Sequence, residues 1–404
     1  MKPKIRFKGF EGEWKEYSLG EVGSIYSGIG FPECEQGGRS GIPFYKVSDM
    51  NNQGNESIMH SSNNYVSDKQ IQRNHWKICS ETPAIFFAKV GAAVMLNRKR
   101  IVLEPCLCDN NTMMFSLSKD KWSTNFALPL FNNVDFPSLA QVGSLPSFNG
   151  SQVKEIKVKL PKFEEQEMVG KYFTSLDSQI SASTSRLASL KQMKAASLQA
   201  MFPQEGETVP KIRFKGFAGE WKKVSFKDFT FHAGTKNRDN LPLESYSISN
   251  EFGFIPQNEQ FENGGTMTQA DKRMYYIVSP NSFAYNPARI NVGSLGYYEG
   301  KEDVIVSSLY EVFKTDDTIC DKFLLYWFKT DIFQKMIEQF QEGGVRLYFF
   351  YDKMCKCSLM RPSLAEQQAI ASYFTSLDRQ ISLQSQRLEK LKQIKSACLD
   401  KMFV

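Results

Sequence analysis

Residues 161–202 read PKFEEQEMVGKYFTSLDSQISASTSRLASLKQMKAASLQAMF, and residues 362–403 read PSLAEQQAIASYFTSLDRQISLQSQRLEKLKQIKSACLDKMF. At a constant offset of 201, 22 of these 42 positions are identical without a gap. A shorter stretch is also duplicated, as PKIRFKGFEGEWKEYSL at 3–19 and PKIRFKGFAGEWKKVSF at 210–226, with 13 of 17 positions identical. We call it the opening motif. The chain therefore contains two copies of one unit, each with an opening motif, a variable segment and a long repeated stretch.

Both long stretches have the pattern of an amphipathic helix. Glu164, Glu165 and Glu167 place negative charge in the first turns, which the helix dipole favours. Apolar residues follow at steps of three and four, as in a coiled-coil seam. They are Phe173, Leu176, Ile180, Leu187 and Leu190 in the first copy and Phe374, Leu377, Ile381, Leu388 and Leu391 in the second. We predict a spacer of two antiparallel helices, each roughly 57 Å long, with the poor helix formers of Ser181–Ser185 as its weak point.

The two variable segments, 23–160 and 227–361, have a different character. Short apolar runs alternate with clusters of Gly, Pro and Asn, which is typical of short strands with a few helices. The sequence predicts a mixed α/β protein with an internal pseudo-two-fold repeat. We divide it into a globular domain at 1–160, a helix and polar linker at 161–209, a second globular domain at 210–361 and a distal helix at 362–404.

Composition narrows the class of protein. The chain has 404 residues and a net charge of +6, which permits a nucleic-acid partner without requiring one. No apolar run approaches the roughly 18–20 residues of a membrane span, and the N-terminus lacks the apolar core of a signal peptide. We therefore expect a cytoplasmic protein without a membrane partner. The spacing of the eight cysteines and three histidines predicts reduced thiols and no metal site.

The duplicated motifs resemble those of the specificity (S) subunits of type I restriction–modification systems, along the whole chain. The pattern PKIRFKGF-x-GEW occurs at 3–14 and 210–221, and a helix containing YFTSLD-x-QIS occurs at 161–194 and 362–395. The resemblance implies that the two variable segments are target recognition domains. Together they would read a bipartite, asymmetric DNA sequence, because the two segments are dissimilar.

The same resemblance implies partners and the absence of a cofactor on this chain. The partners would be double-stranded DNA, two modification (methyltransferase) subunits that use S-adenosylmethionine for adenine methylation, and restriction subunits that use ATP and Mg. The helices would serve as spacers and as docking sites for the methyltransferase subunits. The chain itself would bind none of these cofactors.

Candidate DNA contacts come from residue types that reach base edges or phosphates. Those of the first segment are Lys89, Asn97, Arg98, Lys99, Arg100 and Asn149. Those of the second segment are Lys236, Arg238, Arg273, Arg289, Arg346 and Tyr348. The sequences around Lys89 (FAKVGA) and Arg289 (YNPARINVGS) resemble one strand-and-turn element of the family, so we predict matching positions for these two cations. Each candidate also fits an ordinary turn or a solvated surface.

Two other function classes compete with DNA recognition. The first is a single-chain DNA methyltransferase or nuclease with degenerate motifs, and the second is a structural adaptor that dimerises through its helices. The sequence contains no Gly-x-Gly-x-x-Gly motif after a strand and no Walker A motif. The duplication leaves no room for a further catalytic domain, and an adaptor does not need two dissimilar segments. We therefore predict a non-catalytic DNA-recognition subunit.

Overall fold

The computed structural model of the chain describes residues 2–140, 145–260, 271–344 and 347–403. The chain divides into two compact units. The first unit contains Met1–Thr184 and Gln386–Val404, and the second contains Ser185–Ser385. Both boundaries between the units fall inside the long helices. Each unit therefore combines one variable segment, the beginning of the helix that follows it and the end of the helix from the other copy.

The first unit is built around a four-stranded antiparallel sheet. Its elements in chain order are β1 (Lys15–Ser18), α1 (Leu19–Val22), β2 (Gly23–Ser27), β3 (Ile42–Tyr45), β4 (Tyr65–Val66), α2 (Asp68–Arg73), β5 (Ala84–Ala88), β6 (Lys99–Val102), β7 (Leu107–Cys108), β8 (Thr112–Leu117), α3 (Thr124–Asn132), α4 (Gly150–Glu155), β9 (Lys157–Leu160) and α5 (Phe163–Ala200), which continues into the second unit. The central sheet has the order β2-β8-β5-β6, and a smaller sheet has the order β4-β3-β7. Strand β1 of the opening motif pairs with β9.

The second unit repeats this central sheet. Its elements are β10 (Lys222–Ser225), β11 (Thr230–His232), β12 (Thr235–Lys236), β13 (Ser245–Ser249), β14 (Gly253–Pro256), α6 (Gln257–Gln260), β15 (Tyr276–Val278), β16 (Ser282–Tyr285), β17 (Leu295–Tyr298), β18 (Val304–Val306), β19 (Glu311–Thr315), α7 (Asp321–Trp327), α8 (Asp331–Phe340), α9 (Tyr351–Met354), β20 (Ser358–Arg361) and α10 (Leu364–Met402), which ends in the first unit. The central sheet has the order β11-β19-β16-β17, and β10 pairs with β20. The other sheet differs between the units, because here it has five strands in the order β12-β15-β18-β13-β14.

The central strand β5 shows why the sheet lies in the middle of the first unit. Every residue of Ala84–Ala88 is buried, as expected for a strand covered on both faces. Ile85 and Phe87 point into the core shared with the helices, whereas Ala84 and Phe86 point into the core under the smaller sheet. Strand β16 is likewise buried at every residue. Each central sheet therefore forms a rigid base for the loops at its ends.

The predicted fold class is confirmed: the protein is mixed α/β, with two domains and two long helices packed together. Helix α5 continues through the serine run, and Ser183 within it is buried. The predicted stripe faces inward in both helices. Its buried members are Phe173, Leu176, Leu190, Phe374, Leu377, Leu388 and Leu391, and its half-buried members are Ile180, Leu187 and Ile381.

In two places the local sequence pattern differs from the structure: the alternation of polar and apolar residues at 154–160 indicates one strand, and the apolar spacing at 321–341 indicates one helix. The alternating run 154–160 is a strand only from Lys157, because residues 150–155 form α4, which Asn149 caps by accepting a hydrogen bond from the Gln152 backbone N–H (3.0 Å). The helical run 321–341 is two helices, because the Thr330 side chain caps a new helix at Asp331. Among the described residues no helix is long and apolar enough to cross a membrane.

Candidate DNA interface and helical spacer

The two long helices run antiparallel where they meet in the first unit. The Tyr172 hydroxyl lies 3.4 Å from Cys398 Sγ, and further along the pair the Lys395 ammonium donates to the Asp177 carboxylate. The residue number rises along α5 as it falls along α10, which defines the antiparallel direction. Asp177 and Lys395 are about one-third and one-quarter exposed, so the ion pair lies at the edge of the helix–helix contact.

The second unit contains the same pairing with the roles of the two copies exchanged. The Tyr373 hydroxyl lies 2.9 Å from Ser197 Oγ, and the Lys194 ammonium donates to Asp378. These residues occupy the repeat positions of Tyr172, Cys398, Lys395 and Asp177. Each ion pair therefore joins one copy of the repeat to the other copy.

The opening motif anchors each variable segment to its helix. Nε and Nη2 of Arg6 donate to the two carboxylate oxygens of Glu165, both at 2.7 Å, and Trp14 Nε1 donates to the same carboxylate at 3.3 Å. Arg213 binds Glu366 with the same two distances. A bidentate arginine–carboxylate pair fixes the relative orientation of the two side chains in addition to pairing their charges. Both glutamates are almost fully buried, so the motif is a structural clamp.

The end of each long helix completes the core of the unit that it reaches. Phe403 packs against Trp14, Phe126 and Phe173 in the first unit, with ring centroids 5.5–6.1 Å apart. In the second unit, Phe202 makes the matching contacts with Trp221, Phe323 and Phe374. Each domain core therefore depends on a residue from the other copy.

One end of the central sheet in the first unit gathers polar side chains from several strands. Lys89, which follows β5, donates from Nζ to Ser27 Oγ (2.6 Å) and from its backbone N–H to Asn111 O (2.9 Å). Ser27 ends β2, and Asn111 precedes β8. Arg98 precedes β6 at the same end, because Lys99 pairs with Phe87 near the end of β5. We call Ser27, Lys89, Arg98 and Asn111 the first strand-end surface.

Two residues of the basic run 97–100 serve the interior of the protein. Lys99 is 2% exposed, and its ammonium donates to Val134 O (2.6 Å) and Asn97 Oδ1 (2.7 Å) above the Phe136 ring. Burial lowers the pKa of Lys99 to about 7. Asn97 has a left-handed backbone (φ 49°) and donates from Nδ2 to Val134 O at 3.1 Å. Neither side chain is free to bind DNA in this conformation, and we remove both from the candidate contacts.

The remaining candidates of the first unit differ in their availability. Arg98 is exposed and donates to Asn51 Oδ1 at 2.7 Å. The half-buried Arg100 guanidinium is bound to backbone carbonyls, including that of Asn55, and burial lowers its pKa. Asn149 is exposed, but its side chain caps α4. Among the predicted cations of this unit, Arg98 is exposed and Lys89 is half-buried, and both stay candidate DNA contacts.

Three predicted cations lie together in the second unit. Lys236 donates from Nζ to Met274 O at 3.0 Å and sits 3.5 Å from the Tyr276 ring centre. The Arg238 backbone N–H donates to Lys236 O, and Arg273 adjoins Met274. Arg238 and Arg273 are both exposed. Basic side chains beside aromatic rings are typical of nucleic-acid surfaces.

A histidine and a glutamate that sequence reasoning missed extend this cluster. His232 ends β11, and its Nε2 lies 3.6 Å from Oε2 of Glu311, the first residue of β19. The imidazole also packs against two tyrosine rings, with centroid distances of 6.2 Å to Tyr276 and 5.8 Å to Tyr351. Burial raises the pKa of Glu311. We call Lys236, His232, Tyr276 and Glu311 the second strand-end surface. Strand pairing alone brings His232 and Glu311 together, so no local sequence pattern indicates the pair.

The predicted match between Lys89 and Arg289 is wrong. The Lys89 carbonyl accepts a hydrogen bond from the Phe148 backbone N–H, and the corresponding donor in the second unit, Phe349, bonds the carbonyl of Pro287 (3.0 Å). The strand pairing relates Lys89 to Tyr285, because Ala88 pairs with Thr112 and Ala284 with Val312, whereas this loop hydrogen bond relates Lys89 to Pro287. Arg289 lies two residues further on, exposed at the start of a 3-10 turn. It stays a candidate DNA contact, but not as the counterpart of Lys89.

The last candidates follow α8. Tyr348 stacks on Phe350, with ring centroids 5.4 Å apart and planes 3° apart, and Phe350 is 41% exposed. This pair adjoins Tyr351 in sequence and so continues toward His232. Arg346 lies outside the described residues.

Neither a metal centre nor a disulfide is found in the described part of the chain. No group of three or more His, Cys, Asp or Glu residues there could hold a metal ion, and the cysteines are free thiols. Burial raises the pKa of Cys108 to about 12 and that of Cys106 well above its usual value, so these thiols are protonated and unreactive.

Comparison with known proteins agrees with this geometry. The sequence profile described as "Type I restriction modification DNA specificity domain" matches residues 11–192 and 220–393, one match for each copy of the repeat. The crystal structure of a type I restriction–modification system S subunit from M. genitalium is similar, with a TM-score of 0.59 over 100% of this chain and 99% of that chain, at 12% identity. A structure from work on complex assembly and conformational transition of the type I R-M system has a TM-score of 0.52 over 97% of this chain and 98% of that chain, at 15% identity. At such identities, the solved structures establish likeness of fold.

Proposed function

Since the chain belongs to the type I restriction–modification DNA specificity family, we propose that its two units read two different halves of one asymmetric DNA site. As a specificity subunit, the chain determines DNA recognition within its complex and is not itself catalytic. The proposal concerns how recognition is divided between the units. We assign one half-site to residues 1–160 and the other to residues 210–361.

One observation carries this proposal: the two units present different side chains from the same sheet. Both central sheets have the same strand order, and the same end of each carries polar side chains. In the first unit that end carries Ser27, Lys89 and Asn111, whereas in the second it carries His232 and Glu311. Hydrogen-bonding groups of different kinds select different base edges. Two sheets of the same topology that present different hydrogen-bonding side chains fit a DNA site with two dissimilar halves.

The helical segments 161–209 and 362–404 supply the second part of the proposal. We assign them the distance between the half-sites, since dimeric DNA readers engage half-sites about 34–36 Å apart on one face of the duplex. The ion pairs Lys395–Asp177 and Lys194–Asp378 support this role, because they fix the alignment of the two helices in both units. A spacer with one fixed alignment would enforce one gap length.

Chemistry then belongs to the other subunits of the complex. We propose that two modification subunits bring S-adenosylmethionine and methylate adenines, and that restriction subunits bring ATP and Mg for cleavage. The helices are the proposed docking surface for the modification subunits. The chain would work in the cytoplasm on double-stranded DNA without a cofactor of its own.

A reconstitution experiment tests the proposal. The full chain is purified alone and together with its modification subunits, and methyl transfer to DNA is followed with labelled S-adenosylmethionine. We expect methylation only from the complex, at adenines within a two-part sequence. Methyl transfer or Mg-dependent cleavage by the isolated chain would favour the alternative, a single-chain methyltransferase or nuclease with degenerate motifs.

A further inference from the structure

The two units carry different hydrogen-bonding groups at one equivalent backbone position. In each unit, the residue after the first strand of the central sheet donates its backbone N–H to a carbonyl of the next strand. The acceptor is Thr112 in β8 (3.1 Å) and Val312 in β19 (3.0 Å). The residue immediately before these acceptors is Asn111 in the first unit and Glu311 in the second. The first unit therefore presents an amide where the second presents a carboxylate.

A carboxylate is out of place on a surface that contacts only the DNA backbone. Phosphates repel it, whereas Lys236, Arg238 and Arg273 nearby would attract them. In the grooves, however, a carboxylate has a specific partner, the exocyclic amino group of cytosine (N4) or adenine (N6). Glu311 at this surface would thus lower general affinity for DNA while adding discrimination between bases.

The Glu311 side chain lies against His232 of the neighbouring strand. Burial raises the pKa of Glu311, the nearby His232 and the Tyr351 backbone oppose this rise, and His232 Nε2 stands 3.6 Å from the carboxylate. The Glu311 side chain is 19% exposed, against 44% for His232. No arginine or lysine side chain in the described part of the chain forms an ion pair with this carboxylate within 4.0 Å. Part of its hydrogen-bonding capacity is therefore available to a ligand.

We propose that Glu311, positioned by His232, accepts a hydrogen bond from the exocyclic amino group of a cytosine or adenine in the half-site of the second unit. The inference rests on the proposed function and makes it specific to one residue and one class of base contact. His232 is a positioning residue in this arrangement. Asn111, which can both donate and accept, occupies the equivalent position for the other half-site.

The test compares Glu311→Gln with the wild-type chain in a host that expresses the modification subunits, with single-molecule sequencing of adenine methylation as the readout. The glutamine keeps the shape of the side chain but loses the charge and adds a donor. We expect relaxed or altered preference at one position of one half-site, by roughly 5- to 150-fold. The other half-site should stay unchanged.

Glu299→Gln is the matched control. Glu299 follows β17 at the opposite end of the central sheet, where it forms an exposed ion pair with Lys322 (2.7 Å). It removes the same charge and should leave the methylated sequence as in the wild type. Glu311→Asp is the second variant, because it keeps the carboxylate but withdraws it by one methylene, and it should weaken preference at the same base position.

Three results would overturn the inference. In the first, both Glu311 variants methylate the same sequence as the wild type. In the second, a variant of unchanged thermal stability loses methylation equally at all sequences. In the third, the base that changes lies in the half-site of the first unit. Failure of the proposed function is visible separately, because the wild-type complex would then methylate no two-part sequence. Exchange of residues 23–160 identifies the half-site of each unit independently of Glu311.

Discussion

The ammonium of Lys395 pairs with the carboxylate of Asp177, and the residues at the corresponding repeat positions, Lys194 and Asp378, form the same pair in the second unit. Neither pair could form within one copy in this arrangement, because each joins α5 to α10. The repeat therefore does more than duplicate a helix. It also provides one pair of complementary charges between the copies in each unit.

Reversing one charge of this pair should destabilise the first unit, and reversing both should restore it. Lys395→Glu places two carboxylates side by side, and we expect a loss of about 0.5–1 kcal/mol because the pair is partly exposed. Lys395→Glu combined with Asp177→Lys should recover most of that loss. Urea unfolding of the wild type, Lys395→Glu, Asp177→Lys and the double variant forms a double-mutant cycle that measures the coupling. Losses that simply add would show that the two residues do not interact.

The arginine of the opening motif should contribute far more. Arg6→Met leaves the Glu165 carboxylate, in a residue only 2% exposed, without its counter-ion. We expect the free energy of unfolding to fall by about 3–5 kcal/mol. The same loss is expected for Arg213→Met, which leaves Glu366 without its counter-ion. Arg39→Met, at an exposed arginine, is the control and should change stability little. Equal thermal midpoints for Arg6→Met and Arg39→Met would contradict the proposed clamp.

Lys99 should make stability depend on pH in a defined window. Its pKa is lowered by burial to about 7, whereas an unfolded lysine titrates near pH 10.4. Between these values the unfolded chain binds the extra proton, so stability rises with pH, by at most about 1.4 kcal/mol per pH unit. Unfolding of the wild type and of Lys99→Met is compared from pH 7 to pH 10. The free energy of unfolding of the wild type should rise relative to that of the variant as the pH increases. A difference in unfolding free energy that stays constant with pH would refute the lowered pKa.

Local patterns explain what the sequence could predict. The long helices were predictable because their identities and apolar spacing lie within single continuous stretches. The basic run 97–100 also contained a usable signal, since Lys99 has the strand parity of the buried Ile101. The alternation of the strand therefore indicates that the Lys99 side chain points inward and leaves Arg98 as the candidate DNA contact.

Contacts between distant parts of the chain explain what the sequence could not predict. Nothing near Phe403 indicates that it completes a core with Trp14 at the other end of the chain. The pairing of His232 with Glu311 depends on strand register in the folded sheet. The mismatch between Lys89 and Arg289 likewise follows from backbone hydrogen bonds, whereas the sequence motifs indicated a match.

The central claim is that each unit reads its own half-site. Residues 23–160, which lie entirely in the first unit, are exchanged for the first variable segment of another family member, and adenine methylation is mapped in cells that contain the chimeric chain and its modification subunits. We predict a new sequence in one half of the site, with the other half and the gap unchanged. A change in both halves, or in neither, would contradict it.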